Sequence, residues 1–251
     1  MAEAAVINRE ALEAIESAIV PGVSTAELNA IAEDAIISRG GKPAFKGYRG
    51  FPAALCTSVN EVVVHGIPNE RPLSDGDILS VDVGTFYRGY AADMAKTYAV
   101  GKISAKAQRL LDVTEASLYA GIEQVKPGNR VGDISAAIQD LVEAAGYWVI
   151  REFVGHGIGA EFHESPEVPN YGDAGTGAPL RPGLVLAIEP MVALKRGRVR
   201  ILRDGWTAPM ANRALAAHFE HTVAVTEDGA RVLTLAEDSQ AKTLAGSVYG
   251  A

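Results

Sequence analysis

Two segments of the chain, about 106 residues apart, carry the same spacing of apolar side chains. In each segment apolar residues recur at i, i+3, i+4, i+7 and i+8, which is the pattern of one face of an amphipathic helix. The members are Leu28, Ile31, Ala32, Ala35 and Ile36 in the first segment and Ile134, Ala137, Ile138, Leu141 and Val142 in the second. Both segments open with Pro-Gly and close at a glycine, Gly40 or Gly146, which suits a helix C-terminus. Ser24 and Glu27 have the spacing of a capping box, so the first helix is predicted to begin there.

The similarity continues into the strands that follow. Gly76–Asp82 and Gly183–Glu189 are each a short apolar strand ending in a carboxylate, and they lie about 107 residues apart. These matches predict two related halves, roughly residues 20–100 and 126–235, within one domain spanning residues 1–251. Chance similarity between two ordinary helices is the alternative.

The rest of the chain is rich in strand patterns separated by turn residues, which predicts hairpins. The segments are Ile78–Phe86 with Tyr90–Val100, Arg198–Leu202 with Gly205–Pro209, and Thr222–Val225 followed by the turn at Glu227–Gly229. Hairpins make a sheet largely antiparallel, so the predicted class is α+β, with antiparallel sheet covered by helices. The glycine patterns of phosphate-binding loops and dinucleotide-binding folds are absent from the sequence.

Composition narrows the functional classes. The 251 residues are 48% hydrophobic and have a formal net charge of −8, which supports a well-packed core and disfavours direct nucleic-acid recognition. The single cysteine, Cys56, excludes an intrachain disulfide or a site built of several cysteines. Because the sequence has neither a signal-peptide pattern nor a run of about 18 apolar residues, we expect a cytoplasmic protein without a membrane partner, and we expect a monomer.

Four carboxylates lie inside apolar strand patterns, where an unpaired charge would cost several kcal/mol. They are Asp82, Asp93, Glu189 and Glu220. With the turn centred on Arg88, the first hairpin places Asp82 and Asp93 almost opposite each other, and a cation between them would convert repulsion into binding.

All five histidines lie beside the same segments. They are His65, His156, His163, His218 and His221. Four carboxylates with one or two imidazoles form an oxygen-rich site suited to Mn²⁺, Fe²⁺, Co²⁺ or Mg²⁺, and they exceed what one ion needs. We therefore predict two divalent ions sharing a bridging water, and hydrolysis of an amide or ester as the reaction.

The sequence resembles the methionine aminopeptidases of the bacterial type I class, in the pita-bread metallohydrolase superfamily, from about Pro21 to about Leu235. The motifs that carry the resemblance are Gly47-Tyr-Arg-Gly-Phe-Pro, Cys56-Thr-Ser-Val-Asn-Glu-Val-Val-Val-His-Gly-Ile-Pro, Gly155-His-Gly-Ile-Gly, Phe162-His-Glu, Ile188-Glu-Pro-Met and Phe219-Glu-His-Thr. The resemblance implies a fold of two pseudo-twofold-related halves. It also implies two divalent ions, here Co²⁺, Mn²⁺ or Fe²⁺, and five metal ligands: Asp82, Asp93, His156, Glu189 and Glu220.

The resemblance further implies a role for each matching residue. Asp93 and Glu220 would bridge the two ions, Asp82 would chelate one, and His156 and Glu189 would complete the other. Glu189 would also shuttle the proton, and His65 and His163 would contact the scissile amide and stabilise the tetrahedral intermediate.

A methionine side chain would lie in a pocket made of Tyr48, Phe51, Cys56, Phe162 and Trp206. The residues alone leave plainer interpretations open for three of them: Cys56 as a small buried hydrophobe, Phe162 as packing beneath the site, and Trp206 as the cap of a hairpin.

The substrate implied is the N-terminus of a nascent polypeptide that begins with methionine followed by a small residue. Ribosome contact would need a local basic face, and the sequence offers one strip, which a solvated hairpin edge explains equally well. The strip consists of Lys195, Arg196, Arg198, Arg200 and Arg203. A proline-specific aminopeptidase or dipeptidase of the same fold and a non-catalytic binding module are the alternative functions.

The sequence departs from the family pattern in three places. Met94 and Ala95 follow the second aspartate, where the family usually has hydroxyl residues, so hydrogen bonds behind that ligand are expected to differ. The N-terminal helix is shorter than the usual arm, and the segment from Glu237 is polar and weakly patterned.

Overall fold

The structure is a computed structural model that describes residues 1–236, so the polar segment from Glu237 lies outside the described residues. The helices are α1 (Ala2–Glu16), α2 (Thr25–Ser38), α3 (Ala105–Ile122) and α4 (Val131–Ala144), with a single 3₁₀ turn at Tyr48–Gly50. The strands of the first half are β1 (Lys42–Pro43), β2 (Leu55–Val59), β3 (Val62–Val64), β4 (Ile78–Tyr87) and β5 (Tyr90–Ala99). Those of the second half are β6 (Trp148–Val149), β7 (Gly155–Gly157), β8 (Glu164–Val168), β9 (Val185–Ile188), β10 (Met191–Ala193), β11 (Ala208–Pro209), β12 (Ala216–His218), β13 (Glu220–Thr226) and β14 (Gly229–Val232).

The main sheet has nine strands in the order β1-β4-β5-β13-β9-β7-β8, with β2 added at β4 and β14 added at β13. Every pairing in it is antiparallel, which confirms the predicted α+β class. Strand β13 lies between β5 of the first half and β9 of the second. The strands that carry the predicted ligands are therefore neighbours in one sheet.

The two predicted helices form as the apolar pattern indicates. Helix α2 begins with the capping box, in which Ser24 Oγ accepts from Glu27 N at 3.2 Å and Glu27 Oε2 accepts from Ser24 N at 2.8 Å. Gly40 and Gly146 follow α2 and α4 with φ of 74° and 82°, the left-handed conformation that glycine adopts at low cost.

The buried stripe of each helix is narrower than predicted. Leu28, Ala32 and Ile36 are buried in α2, and Ile134, Ile138 and Val142 are buried in α4. Ile31 is 37% exposed, so its prediction as a core residue was wrong. Helix α2 packs on α1 and helix α4 on α3, and each pair covers its own apolar cluster, as two similar halves would require. The division of the chain into two repeats within one domain remains a prediction.

The first hairpin forms with a register that differs from the prediction. Arg88 and Gly89, with φ of 50° and 83°, are the two central residues of a tight turn that needs positive φ at both positions. The turn centre therefore lies between them and not on Arg88, so Asp82 pairs with Ala95 and Asp93 pairs with Gly84. The two aspartates are diagonal neighbours on one face, and the expectation that they lie almost opposite each other was wrong by this shift.

The second predicted hairpin is only partly formed. No strand is present over residues 198–202, although Leu202 N donates to Thr207 O at 2.9 Å and Arg200 N donates to Pro209 O at 3.1 Å. Only Val199 of this segment packs against a core cluster, with a single bridge to Met210, and the other four residues are exposed, so little apolar surface holds a regular strand. β11 pairs instead with β3. Strand β13 includes the β-rich run predicted over Thr222–Val225 and is followed by the predicted turn, across which it pairs with β14.

Among residues 1–236, no helix is both long enough and apolar enough to cross a membrane.

Candidate metal centre

The five predicted ligands all line one cavity. Asp82 lies on β4, Asp93 on β5, His156 on β7 and Glu220 on β13, and Glu189 follows β9 directly. Ligand atoms of Asp93, His156 and Glu220 all lie within 4.8 Å of one another. His156 Nε2 is 3.8 Å from Asp93 Oδ2 and 3.7 Å from Glu189 Oε1. The antiparallel pairing of these strands therefore brings side chains from distant parts of the sequence within reach of a common ion.

The carboxylates are electrostatically unfavourable on their own. Burial raises the pKa of Asp82 to about 7. Burial and the neighbouring carboxylates raise the pKa of Asp93, Glu189 and Glu220 well above the ordinary range. Within the described part of the chain, Asp82 Oδ1 and Glu220 Oε1 are buried and have no hydrogen-bond partner. Orphaned carboxylate oxygens in a crowded acidic cluster fit a divalent cation, whose charge would stabilise all four ionised groups.

The imidazoles around the cluster are neutral at pH 7. Burial lowers the pKa of His65 and of His156. Partial burial, together with His156, Arg49 and His65, lowers the pKa of His163 to about 4, although part of its ring faces solvent. His156 and His163 have ring centroids 4.2 Å apart. Neutral imidazoles at these positions can bind a metal ion or donate one hydrogen bond each.

The backbone at His65 is held in an uncommon conformation. Its φ is 59°, in the left-handed region that a residue with a Cβ enters at a cost of roughly 1–3 kcal/mol. His65 follows β3, and its ring packs edge-on against Phe153 and Trp206, with centroids 5.3 and 6.1 Å away. Packing thus fixes the direction of the imidazole, which lines the cavity.

The rest of the cavity lining is largely aromatic. The cavity has a volume of about 190 Å³ and is lined by all twelve residues predicted for the site. The five predicted for the methionine side chain, Tyr48, Phe51, Cys56, Phe162 and Trp206, belong to this part of the lining together with Phe45. Phe51 and Trp206 are in edge contact at 5.2 Å, as are Phe45 and Phe162 at 5.4 Å. Cys56 and Phe162 are each only 4% exposed, so both are buried wall residues of the cavity. Trp206 N donates to Asp204 Oδ1 in the turn, and the Trp206 side chain lines the cavity. Trp206 therefore belongs both to the turn and to the pocket.

The sequence analysis did not predict the hydrogen bonds that support the site, nor two of the residues that make them, Thr222 and Asn170. The Tyr48 hydroxyl lies 2.9 Å from His163 Nδ1. Thr222 Oγ1 donates to Asp93 O at 2.7 Å and accepts from Asp93 N at 2.9 Å, and Asn170 Nδ2 donates to Glu189 O at 3.0 Å. Thr222 is two residues after Glu220 on the same strand, so strand alternation could have placed it on the ligand face. No sequence signal points to Asn170, because it lies in the loop after β8 and its contact with Glu189 O forms only in the assembled fold.

We predict that the metal-free protein loses stability as pH rises from 6.5 to 8. Where the folded pKa of an acid exceeds its unfolded pKa, the native state holds more protons, so the free energy of unfolding falls with pH up to the folded pKa. Asp82, shifted from 3.8 to about 7, alone accounts for a loss of about 1 kcal/mol in this interval, or about 2–4 °C in Tm. Histidines with lowered pKa act in the opposite direction up to about pH 7.5, but the raised pKa values of Asp93, Glu189 and Glu220 add to the fall caused by Asp82.

Thermal unfolding of the chelated protein at pH 6.5 and 8, with and without Mn²⁺, measures this effect. Mn²⁺ should raise Tm at both pH values, by about 5 °C or more at 100 times its Kd, and should remove most of the fall. Asp82→Asn should flatten the profile of the metal-free protein. A metal-free Tm that stays constant or rises over this interval would contradict the prediction.

Comparison with known proteins gives consistent matches over most of the chain. The model of metallopeptidase family M24 matches residues 1–227. A protein named methionine aminopeptidase from Clostridium acetobutylicum is 50% identical over 238 residues, covering 94% of this chain and 95% of its own length. Methionine aminopeptidase 1 from Bacillus subtilis is 50% identical over 222 residues, covering 88% of this chain and 90% of its own length.

A solved structure agrees with these matches. The crystal structure of methionine aminopeptidase from Thermotoga maritima superposes with a TM-score of 0.92 at 46% identity, covering 94% of this chain and 95% of that one. The pita-bread fold implied by the sequence resemblance is thereby confirmed.

Proposed function

The chain belongs to metallopeptidase family M24, and from this membership we propose that it removes N-terminal methionine from polypeptides whose second residue is small. The observation that carries the proposal is one cavity lined by two kinds of side chain. They are the ligand cluster, represented by Asp93, His156 and Glu220, and an aromatic group that includes Phe51 and Trp206. A metal cluster beside an apolar pocket supports hydrolysis next to an apolar side chain.

A metallopeptidase uses a divalent ion, and the donor set fits two. Asp93 and Glu220, the most buried acids of the cluster, would be shared between the ions. Asp82 would complete one site, and His156 with Glu189 would complete the other. When bound, divalent ions lower the pKa of a water and polarise the carbonyl under attack. The oxygen-rich donor set favours Co²⁺, Mn²⁺ or Fe²⁺, as the sequence predicted.

The aromatic residues of the cavity lining would bind the methionine side chain. Phe45, Phe51, Phe162 and Trp206 present ring edges and faces to the cavity, and Cys56 adds a soft atom. Contacts of a thioether with aromatic rings add about 0.3–1.5 kcal/mol each, which favours methionine over an aliphatic side chain of similar length. Because these aromatic rings pack against one another, the pocket is formed before the substrate arrives.

Proton transfer during hydrolysis would depend on Glu189 and two histidines. Glu189 would accept a proton from the attacking water and deliver it to the departing amine, so one water is consumed for each amide bond broken. His65 and His163 would donate hydrogen bonds to the carbonyl oxygen as negative charge develops on it. The Tyr48 hydroxyl, donating to His163 Nδ1, would leave the proton on Nε2, which is free to donate to the substrate.

The proposal is tested with purified protein supplied with Mn²⁺ or Co²⁺ and a panel of peptides. Release of methionine from Met-Ala-Ser, with loss of activity when the second residue is large, is the expected result. Cleavage of Xaa-Pro peptides without release from Met-Ala-Ser would identify a proline-specific enzyme instead. Lack of metal binding, together with an unchanged Tm after metal addition, would identify a non-catalytic module.

The proposed partner is a nascent chain at the ribosome, with the basic strip as the contact. All five side chains of the strip are exposed, and Ile201 and Leu202 between them are 53% and 38% exposed. Its members are Lys195, Arg196, Arg198, Arg200 and Arg203. A positive strip beside exposed apolar side chains suits a polyanionic surface, even though the net charge of the chain is −8.

We expect that reversing three of these charges, at Arg198, Arg200 and Arg203, weakens cosedimentation with ribosomes by at least about 10-fold at low salt. Hydrolysis of Met-Ala-Ser should stay unchanged, because the reversed side chains do not line the cavity. Reversal of Lys102 and Lys106, on another surface, is the matched control. Equal cosedimentation of all variants would refute the contact.

A further inference from the structure

One imidazole beside the metal centre has no role in the scheme above. His218 is the last residue of β12, two residues before Glu220, and it is only 2% exposed. Its Nε2 has no hydrogen-bond partner among residues 1–236. That atom is 3.9 Å from Glu189 Oε2 and 3.9 Å from Glu220 Oε2. A buried nitrogen therefore faces two proposed metal ligands from the side away from His156.

The backbone around His218 is fixed, so its side chain points in a defined direction. Its N–H donates to Thr97 Oγ1 at 2.9 Å, and the Thr97 hydroxyl lies 2.7 Å from its carbonyl oxygen. Thr97 Oγ1 is in turn 2.8 Å from Ser80 Oγ. Through these contacts β4 and β5 clamp the end of β12, and the imidazole has little freedom to turn away from the carboxylates.

The surroundings of the ring favour hydrogen bonding to carboxylates over any other use. A small cavity of about 130 Å³ joins His218 to Glu189, His65 and Asp82. No carbonyl or hydroxyl in the described part of the chain accepts from Nε2. An N–H left unpaired in such a position carries a free-energy cost. The cost disappears if the N–H donates to an anionic oxygen, and the two nearest are those of Glu189 and Glu220.

We propose that His218 is a positioning residue whose Nε2–H donates to the facing Oε2 atoms of Glu189 and Glu220, which keeps their other oxygens directed at the metal ions. The distance of 3.9 Å exceeds a hydrogen bond but is too short for a water in line between the atoms. A rotation of either glutamate side chain that moves its Oε2 by about 1 Å would bring it within hydrogen-bonding distance of Nε2. The inference rests on the proposed metal site, and it assigns His218 a role without making it a ligand.

Binding of Mn²⁺ to the metal-free full-length chain, followed by calorimetry, tests this role without depending on peptidase activity. His218→Leu keeps much of the volume and removes the donor, so it should weaken Mn²⁺ binding by about 10–100-fold. His218→Gln has an amide N–H at a similar distance from the backbone and should stay within about threefold of the wild type. At saturating Mn²⁺ the kcat of both variants should approach the wild-type value, because the proposed reacting groups are intact.

Two further variants keep the test decisive. His218→Asn keeps the polarity, but its amide is too short to reach both glutamates, so it should behave like His218→Leu even if the leucine variant fails to fold. His221 lies on the other side of Glu220, and its Nδ1 and Nε2 contact Thr234 Oγ1 at 2.8 Å and the Tyr119 hydroxyl at 3.2 Å. His221→Gln should therefore leave Mn²⁺ affinity within about threefold of the wild type.

Wild-type affinity in His218→Leu or His218→Asn would overturn the proposal. So would equal losses in the glutamine and leucine variants, since loss of packing and not of a donor would then be responsible. An equal loss in His221→Gln would likewise show that the effect is not specific to His218. If the wild type itself binds no Mn²⁺, the proposed function fails first, and the two failures are distinguishable.

Discussion

Glu189→Gln is expected to lower kcat for Met-Ala-Ser by roughly 10²–10⁴-fold, as for the loss of an acid–base group, while the chain stays folded. In the metal-free protein, burial raises the pKa of Glu189, and the nearby Asp93 and Asp82 raise it further. In the loaded site the nearby cations would hold this carboxylate ionised, so it can accept a proton from water and pass it on. Glutamine has nearly the same shape but cannot carry that proton.

The variant must be separated from simple loss of metal, because Glu189 is also a proposed ligand. Activity is therefore measured at increasing Mn²⁺ concentration, and metal content is determined on the same samples. A kcat that stays low at full metal content supports proton transfer. Glu164→Gln, at an exposed glutamate whose Oε1 accepts from Glu161 N, is the matched control and should turn over at the wild-type rate. Wild-type turnover in Glu189→Gln would refute the role.

The four carboxylates of the metal cluster could be predicted from the sequence, whereas His156 was assigned as a ligand only through the family resemblance. A carboxylate such as Asp93 or Glu220 within an apolar strand costs too much free energy to persist without a counter-charge. Short apolar runs bounded by turn residues also placed these acids on strands. The structure brings together every residue predicted for the site, whereas the role of each remains a proposal that the variants described here test.

The predictions that were wrong concern features that depend on local backbone geometry and on which surfaces neighbouring elements cover. A two-residue turn at Arg88 and Gly89 shifts the register of the hairpin, and the spacing of apolar residues does not distinguish it from a three-residue turn. Ile31 fits the helical stripe, but the partner helix does not cover its edge of the helix. The segment over residues 198–202 has strand-forming residues, but four of its five residues are exposed.

Other features depend on tertiary pairing and had no sequence signal. The insertion of β13 between β5 and β9 pairs β13 with residues of β5 more than 100 positions away, and in the assembled sheet His218 Nε2 lies 3.9 Å from both glutamates. The contact of Tyr48 with His163 likewise spans 115 positions. Both histidines were recognised as lying near the site, but the atom that each nitrogen faces follows only from the assembled sheet.

The second large effect is expected at His163. The pKa of this imidazole is lowered to about 4, so it is neutral from about pH 5 upward and can donate one N–H. The Tyr48 hydroxyl lies 2.9 Å from Nδ1 and would donate to it in the proposed scheme, which places the N–H on Nε2. Removal of a donor that acts on developing negative charge costs far more in the transition state than in the ground state. His163→Ala should therefore lower kcat by roughly 10²–10⁴-fold with a small change in KM.

Tyr48→Phe distinguishes the donor from its support. The ring still packs on Phe162 and His163, at 6.2 and 5.4 Å between centroids, but the hydroxyl that fixes the tautomer is lost. A loss of about 5–10-fold in kcat is expected, which corresponds to one hydrogen bond. The double variant should be no slower than His163→Ala, since the hydroxyl acts only through the imidazole. Steady-state kinetics of the four proteins at saturating Mn²⁺ measure this, and additive losses would show that Tyr48 contacts the substrate independently of His163.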